Sequence, residues 1–145
     1  MKELLFHCGF VTPRHAASKN EKKIMINPKT GKLFLGKHDK TLEAQKWIIN
    51  NLIRWRFKSM LETISCDVNL KCIFYFPEKV YWTKKGERSK KLPDLENCIS
   101  TVQDCLTKAK VITDDTIICG LDGSRREPRL AGNEYYLEIE ITRFE

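Results

Sequence analysis

One apolar stripe constrains this chain more than any other feature. Leu95, Cys98, Ile99, Val102, Cys105, Leu106 and Ala109 recur with the 3.6-residue period of a helix that buries one side. Pro93 precedes the stripe and biases the residue before it away from helix, which puts a helix start near position 94. Asp94 takes the N-cap position and Glu96 the first turn, where the helix dipole favours negative charge. Capping and dipole complementarity account for these two acids taken alone. A second pair, Asp114 and Asp115, stands ahead of the apolar run Ile117, Ile118, Cys119, Gly120 and Leu121, which reads as a strand over 116–121. That pair by itself reads as a polar turn. Carboxylates at both ends of one helix, in a chain that is otherwise basic, together point to a divalent cation.

Charge points to the partner. A net charge of +7 and a pI near 9.1 imply a polyanion, nucleic acid before membrane. The 145 residues are expected to form a single domain, 1–145, with one core. No apolar run approaches membrane-spanning length and no signal peptide precedes the first strand, so a soluble cytoplasmic protein with no membrane partner is expected. Cys8, Cys66, Cys72, Cys98, Cys105 and Cys119 form no C-x-x-C pair and fall mostly on apolar stripes, as buried reduced thiols do. With His7, His15 and His38 also lacking ligand spacing, a zinc site is not expected.

The remaining elements follow in order. Leu4 to Val11 reads as a strand with Leu4, Phe6, Cys8 and Phe10 on one face. A polar, basic stretch with Arg14, His15, Lys19, Lys22 and Lys23 follows Pro13. Residues 24–26 and 33–35 suggest a hairpin, whose loop lysines Lys29 and Lys32 suit either a finger along DNA or an ordinary solvated turn. Thr41 to about Ile64 reads as a long helix, with an apolar surface wide enough to suggest a subunit interface. Asp67 to Phe76 is a strand ended by Pro77, with Leu70, Cys72, Phe74 and Phe76 on one face. A basic turn over 123–129 precedes a last strand over 135–144, with Leu137, Ile139 and Ile141 inward and Glu138, Glu140 and Thr142 outward.

Lys79 to Lys91 interleaves bases with Tyr81 and Trp82 and ends directly at the acidic segment. A charge run is commonly just a solvated loop, but this position favours a nucleic-acid-contacting surface of Lys84, Lys85, Arg88, Lys90 and Lys91, with Arg125 and Arg126 from the later turn.

The order Asp94-x-Glu96-Asn97, a helix with Asp104 inside it, then Asp114-Asp115-Thr116-Ile117, resembles the RusA-type Holliday junction resolvases. Arg125, Arg126 and Pro128 ahead of a last alternating strand fit the C-terminal half of that family. The resemblance implies an α+β fold, a small mixed β-sheet packed with two main helices, assembled as a homodimer. It also implies Mg²⁺ or Mn²⁺ dependence, four-way branched DNA as partner, and a role in DNA recombination and repair, often on phage or prophage genomes. Two positions depart from the family pattern: Glu96 stands where Asp is usual and Ser100 where Lys is usual. Lys90 and Lys91 are the nearest bases that could replace that Lys.

Mg²⁺ takes oxygen ligands and keeps several waters, so few acids suffice. Asp94, Glu96 and Asp115 are assigned as catalytic ligands, with Asp114 a fourth; Asp104 reads as structural. A helix over 95–109 spans about 22 Å, and 110–115 fully extended about 20 Å. One subunit therefore brings Asp115 beside Asp94 only by nearly straight reversal, so either the helix ends early or Asp115 joins a partner's site. The alternative from another class is a non-catalytic basic module that binds branched or single-stranded nucleic acid.

Overall fold

The computed structural model describes residues 2–14, 22–37, 39–129 and 132–145. His15 and Lys19 of the early basic stretch lie outside these. Strands are β1 (Leu4–Thr12), β2 (Lys22–Ile26), β3 (Leu33–Lys37), β4 (Val68–Pro77), β5 (Ile118–Gly120), β6 (Arg125–Arg129) and β7 (Tyr135–Arg143). Helices are α1 (Asp39–Lys58), the single turn α2 (Glu78–Tyr81) and α3 (Leu95–Lys108). The fold is α+β: a five-stranded mixed sheet with helices, and a separate β2–β3 hairpin.

β4 is the axis of the sheet. Its residues are nearly all buried because it is flanked on both edges. β7 pairs antiparallel along one edge and carries β1 beyond it. The other edge is shared by two short parallel partners: β5 opposite Val68–Asn69, and β6 opposite Ile73–Pro77. Leu70, Cys72, Phe74, Phe76, Leu137, Ile139, Ile141, Phe6 and Cys8 then form one apolar face, and α1 and α3 pack on it through Ile48, Leu52, Cys98, Val102, Cys105 and Leu106. A fully buried aliphatic side chain of this kind contributes about 1.5–3 kcal/mol.

Asn69 and Ser124 hold the gap between β5 and β6. Between the end of β5 and the start of β6, the Ser124 hydroxyl accepts from the Cys72 amide at 3.0 Å and donates to the Leu70 carbonyl at 3.3 Å. One side chain thus stands in for a missing ladder partner. Asn69 clamps the same loop, accepting from the Asp122 amide at 3.0 Å and donating to its carbonyl at 3.3 Å.

Several boundaries differ from the sequence reading. α1 stops at Lys58, not near 64. Met60 adopts a left-handed φ of 52°, and the Met60 and Leu61 amides bond back to the Phe57 and Arg56 carbonyls. That is a Schellman closure without glycine. The expected basic turn over 123–129 contains β6; Pro128 is compatible with it because, among the described residues, β6 pairs on one edge only. The expected strand over 116–121 is a 3-10 turn, Asp115–Ile117, followed by β5. Leu4 is exposed, since a bulge between Leu4 and Phe6 breaks the alternation. Thr142, expected outward, is buried between its ladder partners Leu4 and Asn69. Glu138 and Glu140 do lie on the outer face, Glu140 paired with Lys71 at 3.2 Å.

The six cysteines are thiols outside any disulfide. Cys8, Cys72, Cys98 and Cys105 are buried as expected, while Cys119 is exposed on β5. Burial pushes the Cys8 thiol up to about 12. Among the described residues no helix is long and apolar enough to cross a membrane.

Candidate active site

α3 begins as its sequence dictates. Asp94 is extended (φ −60°, ψ 136°) and its carbonyl accepts from the Cys98 amide at 3.1 Å. Its carboxylate makes no capping hydrogen bond, so the simplest structural use of that acid is not taken up. Leu92 is buried two residues earlier and anchors the approach. From β6, Arg126 donates Nη1 to the Pro93 carbonyl at 3.1 Å. Asp94 and Glu96 are both exposed.

Glu96, Ser100 and Gln103 lie one helical turn apart along α3 and line an open groove of about 600 Å³, closed on the far side by Leu121 and Ser124. The groove therefore lies between the start of α3 and the gap where β5 gives way to β6.

The other acidic pair is placed by the end of α3. Lys110 takes φ 63°, and the Lys110 and Val111 amides bond back to the Thr107 and Leu106 carbonyls, a second Schellman closure. The chain then reverses: Ile112 bridges Ile64, with the Ile64 amide on the Val111 carbonyl at 2.9 Å and the Thr113 amide on the Ile64 carbonyl at 3.0 Å. Asp114 and Asp115 follow at the 3-10 turn, exposed and hydrogen-bonded to each other. That bond holds Asp114 below the usual carboxylate range. It raises Asp115, with desolvation and the charges of Asp114 and Asp104 acting in the same direction.

The four assigned carboxylates thus form two groups in one chain, Asp94 with Glu96 and Asp114 with Asp115. Among the described residues no three His, Cys, Asp or Glu side chains converge closely enough to hold a metal ion. The return from α3 brings Asp115 within electrostatic reach of Asp104, which the sequence reading had set aside as structural. The donor chemistry nevertheless suits a hard cation, since all four are exposed carboxylates.

The family model described as Endodeoxyribonuclease RusA matches residues 10–142. The chain belongs to the RusA family. No curated protein matches it. RusA membership makes this a nuclease fold, implies Holliday junction endonuclease activity, and gives branched DNA as the partner class.

The bases assigned to DNA in this RusA chain divide in two. Lys84, Lys85 and Arg88 are exposed on an ordered turn: the Thr83 amide bonds the Glu87 carbonyl at 2.7 Å, Trp82 bridges Arg88, and Gly86 supplies a φ of 81°. Lys90 and Lys91 are exposed beside it. Among the described residues none of these five has an ion-pair partner. Arg125 and Arg126 are engaged within the fold. Arg125 bonds Glu127 and the Gly123 carbonyl; Arg126 bonds the Pro93 carbonyl. Sequence reasoning missed Asn69 and Ser124, because a polar residue inside or beside an apolar strand carries no mark of what it will clamp.

Proposed function

We propose that this protein is a Mg²⁺-dependent endodeoxyribonuclease that resolves four-way DNA junctions as a homodimer, in DNA recombination or repair. The observation that carries the reading is the uncapped Asp94 carboxylate at the start of α3, two residues before the groove-lining Glu96, in a RusA-family chain of net charge +7.

In this reading Asp94, Glu96 and Asp115, with Asp114 as a fourth, hold Mg²⁺ or Mn²⁺. A carboxylate-bound divalent ion supplies charge stabilisation at the phosphate and an acidified water. The chain does the rest. Lys84, Lys85, Arg88, Lys90 and Lys91 hold the DNA backbone against acids that alone would repel it. Ser100 and Gln103 line the groove, where they can donate hydrogen bonds to a phosphate or sugar. Exposed Phe57 and Met60 at the end of α1 offer apolar surface for a second subunit. A dimer would also let Asp94 and Glu96 of one chain meet Asp115 of the other, which the two-group arrangement invites.

Incubation with a synthetic four-way junction, with and without Mg²⁺, tests the reading. Paired, metal-dependent nicks are expected. A retarded junction without cleavage at any metal concentration would replace the enzyme with a binding module, and metal-dependent cutting confined to flaps or RNA would replace the substrate.

A further inference from the structure

We infer that Arg126 is a positioning residue for Asp94, acting inside the fold, and not one of the groups that grip DNA phosphate; the inference rests on the nuclease reading of Asp94.

Alternation along β6 is the first support. Arg125 and Glu127 pair with each other two residues apart, hence on one face of the sheet. Arg126 points to the other face, the one that carries α3. It is half-buried there, and its Nη1 reaches the Pro93 carbonyl at 3.1 Å, across 33 residues of sequence. β6 itself is fixed, because it pairs with β4 from Ile73 to Pro77, with Arg126 opposite Phe74.

The second support comes from Asp94. Its backbone is at the extended-to-helical junction, and its carboxylate has no cap bond to orient it. What fixes that junction is the carbonyl just before it, held by Arg126, together with Leu92 in the core two residues earlier. A guanidinium is a rigid, permanently charged donor, and its bond to a carbonyl is stronger than a neutral one. The path from the central strand to the acid is thus β4, β6, Arg126, Pro93, Asp94. Ser124, two residues before Arg126, lines the groove and is bonded to β4, so one β-edge sets both walls.

Full-length Arg126→Gln and Arg126→Lys test this in three ways. Amide exchange at Cys98, whose bond to the Asp94 carbonyl closes the first turn of α3, should quicken about tenfold in Arg126→Gln and less in Arg126→Lys. The salt slope of metal-free junction binding should equal that of the native chain, whereas loss of a phosphate contact lowers it by about 1. Single-turnover cleavage in Mg²⁺ should fall roughly tenfold to a hundredfold in Arg126→Gln with KM unchanged, and recover in part in Arg126→Lys. A reduced salt slope with a raised KM would make Arg126 a phosphate contact and overturn the inference. So would unchanged exchange with unchanged cleavage. If the native chain cuts nothing, the nuclease reading fails separately, and exchange and salt slope still decide whether Arg126 holds the helix start or the DNA.

Discussion

The acid on α3 whose charge reaches Asp115 is Asp104, ten residues along the helix from Asp94. Ten helical residues are about 15 Å. The reversal at Lys110 therefore brings Asp115 toward the C-terminal half of α3. Asp94 and Asp115 can act on one ion either within one chain or from two subunits. An equimolar mixture of Asp94→Asn and Asp115→Asn chains separates these. Each heterodimer with a shared site keeps one intact pair, so cleavage should reappear in the mixture; no recovery means that each site is built within one chain.

The Asp114–Asp115 bond makes a prediction about protons. Asp115 is raised chiefly by Asp114, so Asp114→Asn should return Asp115 toward the ordinary carboxylate value, as followed by carboxyl NMR titration. The signs are opposite for the two acids. Raised Asp115 contributes stability below its unfolded value, lost as pH rises through its folded one. Lowered Asp114 contributes stability above its unfolded value, lost as pH falls through its folded one. Both are exposed, so this pair should contribute little to any change of melting temperature with pH, whereas Mn²⁺ affinity should fall as pH drops and Asp115 takes its proton.

Ser124→Ala removes the hydroxyl that completes the β4 ladder. The Cys72 amide and Leu70 carbonyl then lose their partner, at a cost of about 1–3 kcal/mol. Thermal melting should drop by several degrees. A melting point unchanged within a degree would mean that water replaces the hydroxyl there.

Lys110→Gly should stabilise. Lys110 pays for a left-handed φ of 63° that costs a side-chain-bearing residue about 1–2 kcal/mol, partly offset by the greater freedom of unfolded glycine. A rise of up to a few degrees in melting temperature is expected, with no change in junction binding.

Lys84→Ala, Lys85→Ala and Arg88→Ala should leave melting within about 0.5 kcal/mol of the native chain, since these side chains are exposed. Junction affinity should weaken, and the salt slope should lose about 1 per phosphate contact removed. Fluorescence anisotropy across a salt series measures both.

Much was legible in the sequence because periodicity reports burial directly. The α3 stripe, the alternation of β4 and the hairpin of β2 and β3 all stand as read. The end of α1 was less legible: Met60 closes it in a left-handed conformation that glycine would have announced. β6 was hidden because Arg125, Arg126 and Pro128 resemble a turn until β4 is there to pair with them.

The chemistry available was set by the residues themselves: exposed carboxylates at both ends of one helix, bases on the loop before it, and the order that marks the RusA family. Their placement was decided by tertiary structure. Where Asp115 comes to lie along α3 depends on where Lys110 turns and on the bridge between Ile64 and Ile112. Whether an arginine holds DNA or the backbone ahead of Asp94 depends on which face of β6 it occupies beside β4. Both are long-range contacts, formed between segments that are far apart in the chain and carry no local sign of each other.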